Sequence, residues 1–351
     1  MATTAIEGAY APPYAPSWLN RLLAFIERQA WPAWLTYTVL SLVSIVASHT
    51  QLWTTGEAPP WSFTVAYTYY GILPFALLWA VGYLDRVAAS AFDTFRPALT
   101  VSPGELERLR YELTVIPAVP ALVLAIITFA LTATSYALDP VASDVVGLSA
   151  PVLAVRLVFE AFNGAVAIVI VYQLLRQMRQ VRSLLARSTR VDLFQPGPLY
   201  AFSKLTSRTG IVLVVFVASS AIVAPLPVDS GVFLWIWAPW LIAPSVIAAI
   251  AFLVPLQGMH DRLVAEKERL QDEAEQRLKS VLQDINRSVD AGDLSRADAQ
   301  NKSLATMIQQ RDVLAKLPTW PWSTGTLRAF VTAILLPLGL FLIQRVLTQL
   351  V

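Results

Sequence analysis

The chain has 351 residues, of which 56% are hydrophobic and only 14% charged, against roughly 25% charged in an ordinary soluble domain. It contains no cysteine, which excludes disulfides, thiolate catalysis and cysteine-ligated metals. The net charge of +2 is small, and the basic residues are placed between apolar stretches, so we expect no nucleic-acid binding. This composition predicts an integral membrane protein.

Residues 1–31 are predicted to form a cytoplasmic N-terminal segment. No cleavable signal peptide is expected, because the first 30 residues lack a short apolar core with a small-residue cleavage site. Residues 18–31 favour an amphipathic helix at the membrane interface; the alternative is a short lead-in to the first span. The apolar side chains expected near one face of this helix are Trp18, Leu22, Leu23 and either Phe25 or Ile26.

Seven apolar stretches approach or exceed the length of about 20 residues that crosses a bilayer. Lys and Arg are absent from the connections 54–61, 138–150 and 229–231, and nearly all positive charge lies in the alternate segments. By the positive-inside rule, the N-terminus is cytoplasmic and the C-terminus lies outside. The sequence predicts an all-α protein of the plasma membrane with seven transmembrane helices, six of them within 32–256. The predicted spans are 32–53, 62–84, 112–137, 151–175, 209–228, 232–256 and 327–349.

A capping box precedes the third span. Ser102 can cap a helix, Pro103 occupies the tolerated first position, and Glu105 is the third helical residue. We expect this helix to continue through Leu113 into the span itself.

Residues 257–317 are predicted to form a cytoplasmic antiparallel helical hairpin between the sixth and seventh spans. Apolar residues recur at three, four and seven positions, and Asp290 to Asp293 form a turn signal. Neither arm is expected to cover the apolar stripe of the other completely. Residues 262–315 therefore favour self-association, with a cytoplasmic protein partner as the alternative. The stripe expected on the second arm is Leu294, Ala297, Asn301, Leu304, Ile308 and Arg311, followed by Leu314 and Leu317.

Residues 318–351 are predicted to form a corner at the membrane surface followed by the last span. Pro318 and Pro321 prevent a continuous helix, and Ser323 or Thr324 can cap the next one. Trp320 and Trp322 are expected to anchor the corner among lipid headgroups.

The best candidates for an ion pathway lie in the fourth span. Arg156 and Glu160 are four residues apart and can meet on one face, and Asn163 follows one turn later. The alternative is an ion pair within the helix that fixes it against its neighbours. The sequence Asn163-Gly164 also permits close helix approach.

Two other features can be interpreted either functionally or structurally. His49 lies near the outer end of the first span, where interfacial hydration explains it as well as a pH-sensing role does. Arg176, Arg179 and Arg182 have the spacing of a voltage sensor. They follow a stretch that already spans the bilayer, so we interpret them as surface anchors for anionic lipid.

No enzyme is expected. The two histidines lie on opposite sides of the predicted membrane, Asp85 has no second aspartate at its depth, and no phosphate-binding glycine loop is present. We expect neither a cofactor nor a metal. Two hypotheses remain: a homo-oligomeric ion channel or pore with a cytoplasmic assembly or gating domain, and a non-catalytic membrane scaffold or signalling protein whose hairpin binds a partner.

Overall fold

The structure, a computed structural model, describes residues 11–138, 140, 145–187, 196–223, 238–292, 295, 297–335 and 339. Ten α-helices cover most of these residues, and no β-strand occurs among them. A short 3-10 turn, Arg96–Ala98, follows the third helix. The helices are α1 Trp18–Glu27, α2 Ala33–Thr55, α3 Val65–Phe95, α4 Pro103–Thr114, α5 Ala118–Leu138, α6 Ala150–Arg187, α7 Pro196–Val223, α8 Ala238–Asp290, α9 Ala297–Lys316 and α10 Thr324–Leu335.

Within the described ranges, four helices are long and apolar enough to cross a membrane: α2, α3 with its 3-10 turn, α5 and α6. They coincide with the first four predicted spans. Most of the apolar surface of α2 and α5 is exposed, as expected for helices that face lipid. The last three predicted spans fall partly on residues outside the described ranges.

Ion pairs and hydrogen bonds define two ends of the helix bundle. At the first, Arg156 near the start of α6 lies 3.9 Å from Glu57 in the α2–α3 connection; we call this the Glu57 end. At the second, Arg187 closes α6 and pairs with Glu105 of α4 at 3.1 Å. Arg262 of α8 also donates to the carbonyl of Ala186 there, at 2.7 Å. We call this the α4 end.

The expectation that the helix starting at Ser102 runs into the third span is wrong. The Ser102 hydroxyl does cap α4, accepting the Glu105 N–H at 3.3 Å. The helix then ends at Thr114, Val115 is extended (φ −112°, ψ 129°), and α5 begins only at Ala118. Pro117 is the physical reason, because a proline disfavours helical geometry in the preceding residue and has no N–H to donate.

Two buried clusters hold the bundle together, and α6 contributes to both. One lies between α1, α3, α5 and α6, with Leu78, Val166 and Val169 fully buried. The other lies at the α4 end, where α3 and α6 extend beyond their predicted limits of 84 and 175. Fully burying a large apolar side chain stabilises the fold by about 1.5–3 kcal/mol. The members of the second cluster that are least exposed include Phe92, Phe95, Leu184, Phe202, Leu205, Phe252, Leu256 and Met259.

The N-terminal helix α1 packs on protein. Leu23 and Ile26 are buried as expected, and Leu19 joins them, whereas Phe25 is 62% exposed. Trp18 and Leu22 are half-buried against the first cluster, so the predicted apolar face is confirmed with Ile26 as its last member, and Phe25 lies outside it.

Two glycines allow neighbouring spans to approach closely. A Cβ atom on Gly164 of α6 would lie 2.6 Å from Thr128 Cγ2 of α5, and one on Gly71 of α3 would lie 2.8 Å from Ile45 Cγ1 of α2. The predicted close approach at Asn163-Gly164 is confirmed.

Helix α8 has no break at the predicted boundary of 256 and 257. It runs for 53 residues, about 80 Å, from the apolar bundle into the charged segment. Helix α9 returns along it: Lys267 Nζ donates to the Ala315 and Leu317 carbonyls at 2.7 and 2.8 Å, and Gln300 Nε2 donates to Ser288 Oγ at 2.8 Å.

The stripe by which α9 contacts α8 differs in part from the predicted one. As expected, Leu304 and Leu317 are half-buried and Leu314 is fully buried, and Met307 is half-buried as well. Ile308 is 47% exposed, and Ala297, Asn301 and Arg311 are also exposed. Leu294 lies outside the described residues. The error arises because Met307 and Ile308 are adjacent and both apolar, so the sequence pattern allows either one to face α8.

The corner before α10 forms as predicted. Helix α9 ends at Lys316, the segment with Pro318 and Pro321 is not helical, and Ser323 Oγ accepts the Thr326 N–H at 3.2 Å. Ser323 is therefore the cap of α10.

Substituting Gly164 with alanine is expected to destabilise the protein by about 1–3 kcal/mol, since the new methyl group overlaps Thr128 Cγ2. Thermal unfolding in detergent measures the change. The double variant Gly164→Ala/Thr128→Ser, which removes the opposing methyl, should recover most of the loss. Gly258→Ala is the matched control, because no heavy atom lies within 4 Å of its added Cβ; equal effects at both glycines would contradict the proposed close approach.

Candidate functional site

The break between α4 and α5 exposes backbone groups that the N-terminal segment satisfies. Ser17 N–H donates to the Ile116 carbonyl at 2.9 Å, and the Ala118 N–H donates to the Ala15 carbonyl at 3.0 Å. The Tyr14 hydroxyl donates to the Val115 carbonyl at 2.9 Å. These bonds matter because a backbone N–H or carbonyl left unpaired away from water lowers the stability of the fold by as much as a lost hydrogen bond. We call residues 113–118 the junction.

Side chains from α1 and α6 complete the junction. Asn20 Oδ1 accepts the Ile116 N–H at 2.8 Å, and Arg176 Nη1 donates to the Val115 carbonyl at 2.7 Å. Arg176 also donates to the Tyr14 hydroxyl and lies over its ring. Gln177 Nε2 reaches the Leu113 carbonyl at 3.2 Å. One N-terminal segment and one long helix thus hold this break from two sides.

Asp85 of α3 is connected to the junction through α6. Its Oδ1 atom accepts from Gln173 Nε2 at 3.3 Å and from Gln177 Nε2 at 2.8 Å. Neighbouring Arg86 points elsewhere and pairs with Glu27 of α1 at 2.9 Å. Two neutral amides therefore hold the Asp85 carboxylate, and Gln177 joins it to the α4 backbone.

Asp85 lines a cleft of about 390 Å³ at the α4 end. Asn20, Glu27, Arg86 and Arg110 also line this cleft. The Oε1 atoms of Gln173 and Gln177 are buried and have no hydrogen-bond partner within the described ranges. The cleft therefore combines the Asp85 carboxylate with the charged side chains of Glu27, Arg86 and Arg110.

The predicted residues Arg156 and Glu160 are brought together at the Glu57 end. Arg156 Nε lies 3.1 Å from Glu160 Oε1, and Arg156 Nη1 lies 3.9 Å from Glu57 Oε1. Since Glu57 belongs to a connection between helices, this network occupies the end of the bundle and not its middle. Asn163 does not join it; its Nδ2 atom donates to the Phe159 carbonyl of its own helix at 2.9 Å.

An apolar stretch of α6 separates the two polar regions. Asn163 and Gln173 are ten residues apart, about 15 Å along the helix. Val166, Val169 and Ile170 between them are buried. The described part of the chain therefore has no continuous polar row along α6.

His49 is fully buried and joins α2 to the start of α3. Its Nδ1 atom lies 2.9 Å from the Ile45 carbonyl, and its Nε2 atom accepts the Thr64 N–H at 3.2 Å. Because Nε2 accepts a hydrogen bond, Nδ1 is the ring atom that donates to Ile45. A pH-sensing role stays a prediction.

The three predicted anchor arginines have different surroundings. Arg176 is held in the junction, as described above. Arg179 and Arg182 are exposed, and neither has a hydrogen bond or ion pair to the parts of the chain that the structure describes. Both line a groove between α6, α7 and α8.

The two predicted tryptophan anchors form an aromatic stack with α8. Trp320 lies 3.7 Å from His260, ring to ring and nearly parallel, and 4.2 Å from Trp322. Trp322 continues to Phe252 at 5.3 Å. His260 Nδ1 also lies 2.9 Å from the Thr319 carbonyl. Protein contacts thus position the corner, and headgroup anchoring stays a prediction.

The sequence prediction missed the junction and the Asp85 site. Two signals point to them in retrospect. Ile116-Pro117 marks a helix break, and Gln173 and Gln177 are amides four residues apart in an apolar helix, where a partner is required. The pairing with Asp85 itself spans 88 and 92 residues and has no local signal.

Comparison with known proteins gives no family: no family model, no curated protein and no solved structure matches this chain.

Replacing Asn20 with leucine is expected to lower the stability of the protein by about 1–3 kcal/mol, because the Ile116 N–H then loses its acceptor. Thermal unfolding in detergent reports the loss. Asn20→Asp keeps an oxygen acceptor and should retain most of the stability. If Asn20→Leu and Asn20→Asp unfold alike, the bond to Ile116 does not support the junction.

The contribution of Tyr14 is expected to disappear in alkali. Burial is the largest influence on its hydroxyl and raises the pKa to about 12, although Arg176 opposes this. Because the folded pKa exceeds the ordinary value of about 10, neutral Tyr14 stabilises the native state below pH 10, and this contribution is lost as pH rises towards 12.

Tyr14→Phe should therefore unfold at a lower temperature than the parent protein at pH 8, by the equivalent of about 1 kcal/mol. The difference should shrink between pH 10 and 12. A difference that stays constant across this range would show that Tyr14 does not titrate in the folded protein.

Proposed function

We propose that this chain is a homo-oligomeric, non-catalytic membrane scaffold whose copies associate through the end of the α8–α9 pair. The observation behind the proposal is that α8 leaves the buried bundle and continues far beyond the last core residue, and that α9 is the one described helix beside it there. We call residues 271–290 and 297–316 the arm. Its two helices would hold copies together, and the membrane helices would anchor them.

The arm buries little on its own. Leu263 and Leu270 are the last residues of α8 that contact the cluster at the α4 end. Among described residues of the arm, only Ala274 and Leu314 are fully buried. Helices in proteins draw most of their stability from packing an apolar face against other elements. A helix pair with so small an interface therefore favours a further packing partner.

The arm has an apolar flank that suits an identical arm. Leu282 and Val289 of α8 are 40% and 58% exposed and lie seven residues apart, on one side of the helix. At about 100° per residue, both fall beside the contact with α9. The same rotation places exposed Ile308 on the matching side of α9. Two such flanks packed together would form a four-helix bundle.

The charges of the arm also permit self-association. Its two segments contain seven acidic and six basic residues, so identical arms do not repel each other strongly. A strongly acidic or basic arm would instead indicate a partner of opposite charge.

We further propose seven membrane spans, a cytoplasmic N-terminus and arm, an outer C-terminus and a plasma-membrane location. The charge distribution of the connections supports this orientation. The described connection at the Glu57 end, 56–64, has no Lys or Arg, whereas Arg86, Arg96, Arg110 and Arg187 cluster at the α4 end. The α4 end would therefore face the cytoplasm.

An ion channel is the second candidate function. The observation that favours it is the cleft at Asp85, which opens at the α4 end, while Arg156 and Glu160 mark the other end of α6. The apolar stretch between them would act as a closed gate. We place this candidate second because buried apolar residues of α6, Val166, Val169 and Ile170, separate the polar groups at its two ends.

The triple variant Leu282→Gln/Val289→Gln/Ile308→Gln is expected to convert a defined oligomer to monomers, measured by native mass spectrometry of the detergent-solubilised protein. Val313→Gln is the matched control, since Val313 is equally exposed (48%) but lies on the far side of α9. An oligomer that survives the triple variant, or a parent protein that is monomeric, would contradict assembly through this flank.

Ion flux in proteoliposomes is expected to stay at the level of protein-free liposomes if the chain is a scaffold. A flux that falls at least tenfold in Asp85→Asn or Glu160→Gln would instead identify a channel. Thr94→Val, an exposed change outside the cleft, serves as the control for reconstitution.

A further inference from the structure

We propose that the groove between α6, α7 and α8 binds one anionic phospholipid, with an acyl chain in the groove and the phosphate on Arg179 and Arg182. This site is independent of the arm and of the proposed scaffold function.

The groove has an apolar floor that opens sideways from the bundle. Its volume is about 220 Å³, which is smaller than the roughly 300–1,000 Å³ of a typical small-molecule pocket. That volume suits part of an acyl chain whose remainder stays in the bilayer. The apolar residues that line it include Leu174, Leu175, Met178, Leu213, Ile250 and Val254.

The two arginines lie at one end of this groove. On α6 they follow Leu174 and Leu175 in the direction of the α4 end, so the charged end of the groove faces the bundle end and the apolar end faces its middle. An amphiphile with a negative head and a hydrocarbon tail has the same arrangement. Because both guanidinium groups lack a partner among the described residues, they are free to bind a phosphate in two-point fashion.

One residue that lines the groove has a buried hydroxyl group without a partner. Thr209 is fully buried, lines the groove, and its Oγ1 atom has no hydrogen-bond partner in the described part of the chain. Other helical threonines, Thr38, Thr50 and Thr128, donate to the carbonyl four residues earlier. A buried unpaired hydroxyl is costly, and an ester or glycerol oxygen of a lipid would satisfy it.

The charged end of the groove lies on the side of the membrane where the proposed orientation places anionic lipid. The α4 end would face the cytoplasm, where the leaflet carries anionic lipid and attracts basic residues near the surface. A zwitterionic lipid would fill the apolar floor equally well but would gain less from the two arginines.

The test is a titration of the detergent-solubilised full chain with phosphatidylglycerol or phosphatidylcholine, followed by native mass spectrometry. We expect the parent protein to bind phosphatidylglycerol about tenfold more tightly, and Arg179→Gln/Arg182→Gln to lose this preference. Arg21→Gln/Arg28→Gln removes the same net charge from exposed positions outside the groove and should keep it.

Two further variants separate the lipid from a free phosphate. Leu213→Trp fills the groove and should weaken both lipids at least fivefold with the arginines intact, and Thr209→Val should weaken both by a smaller factor. Thermal unfolding confirms that each variant is folded. The proposal is overturned if the two lipids bind equally to the parent, if the two double variants behave alike, or if Leu213→Trp has no effect while inorganic phosphate displaces the lipid.

Discussion

The rest of this structure depends on one constraint: the backbone N–H and carbonyl groups of the junction must all find hydrogen-bond partners. Pro117 interrupts the helical hydrogen bonds beside an apolar span. Neither lipid nor apolar core side chains can supply the missing hydrogen bonds there. Residues 14–20 approach from the N-terminal side and Arg176 and Gln177 approach from α6. The position of α1, the rotation of α6 and the contact between α6 and Asp85 all follow from this requirement.

Helix α6 shows how one sequence pattern acquires several roles when a helix is surrounded by different neighbours. Arg176, Arg179 and Arg182 repeat every third residue, yet the first supports a backbone carbonyl and the other two face a groove. At the opposite end, Arg156 and Glu160 neutralise each other within the helix. The neighbours of each arginine, more than the spacing of the row, determine what it does.

The sequence predicts the features that depend on local chemistry. Ser102 and Ser323 cap helices because a hydroxyl at that position accepts a backbone N–H. Pro318 and Pro321 lie in the non-helical segment between α9 and α10. The all-helical class and the first four spans follow from apolar length. The break at Ile116-Pro117 was missed because the helix capped by Ser102 was expected to continue through Leu113 into the apolar run that begins at Val115. Asp85 and its two glutamines were missed as a unit, since residues so distant in sequence meet only in the folded chain.

The length of α8 has a mechanical consequence. From Phe252, which packs against Phe330 and Trp322, one uninterrupted helix reaches Asp290, about 57 Å away. The stack of Trp320 on His260 lies near the Phe252 end of this length of helix, where it would serve as the pivot of a tilt. Asp290 lies about 45 Å from His260 along the helix, so a tilt of about 10° at His260 would move the tip by roughly 8 Å. Helix α8 therefore has the geometry of a lever that would carry small rearrangements among the buried helices to the tip of the arm.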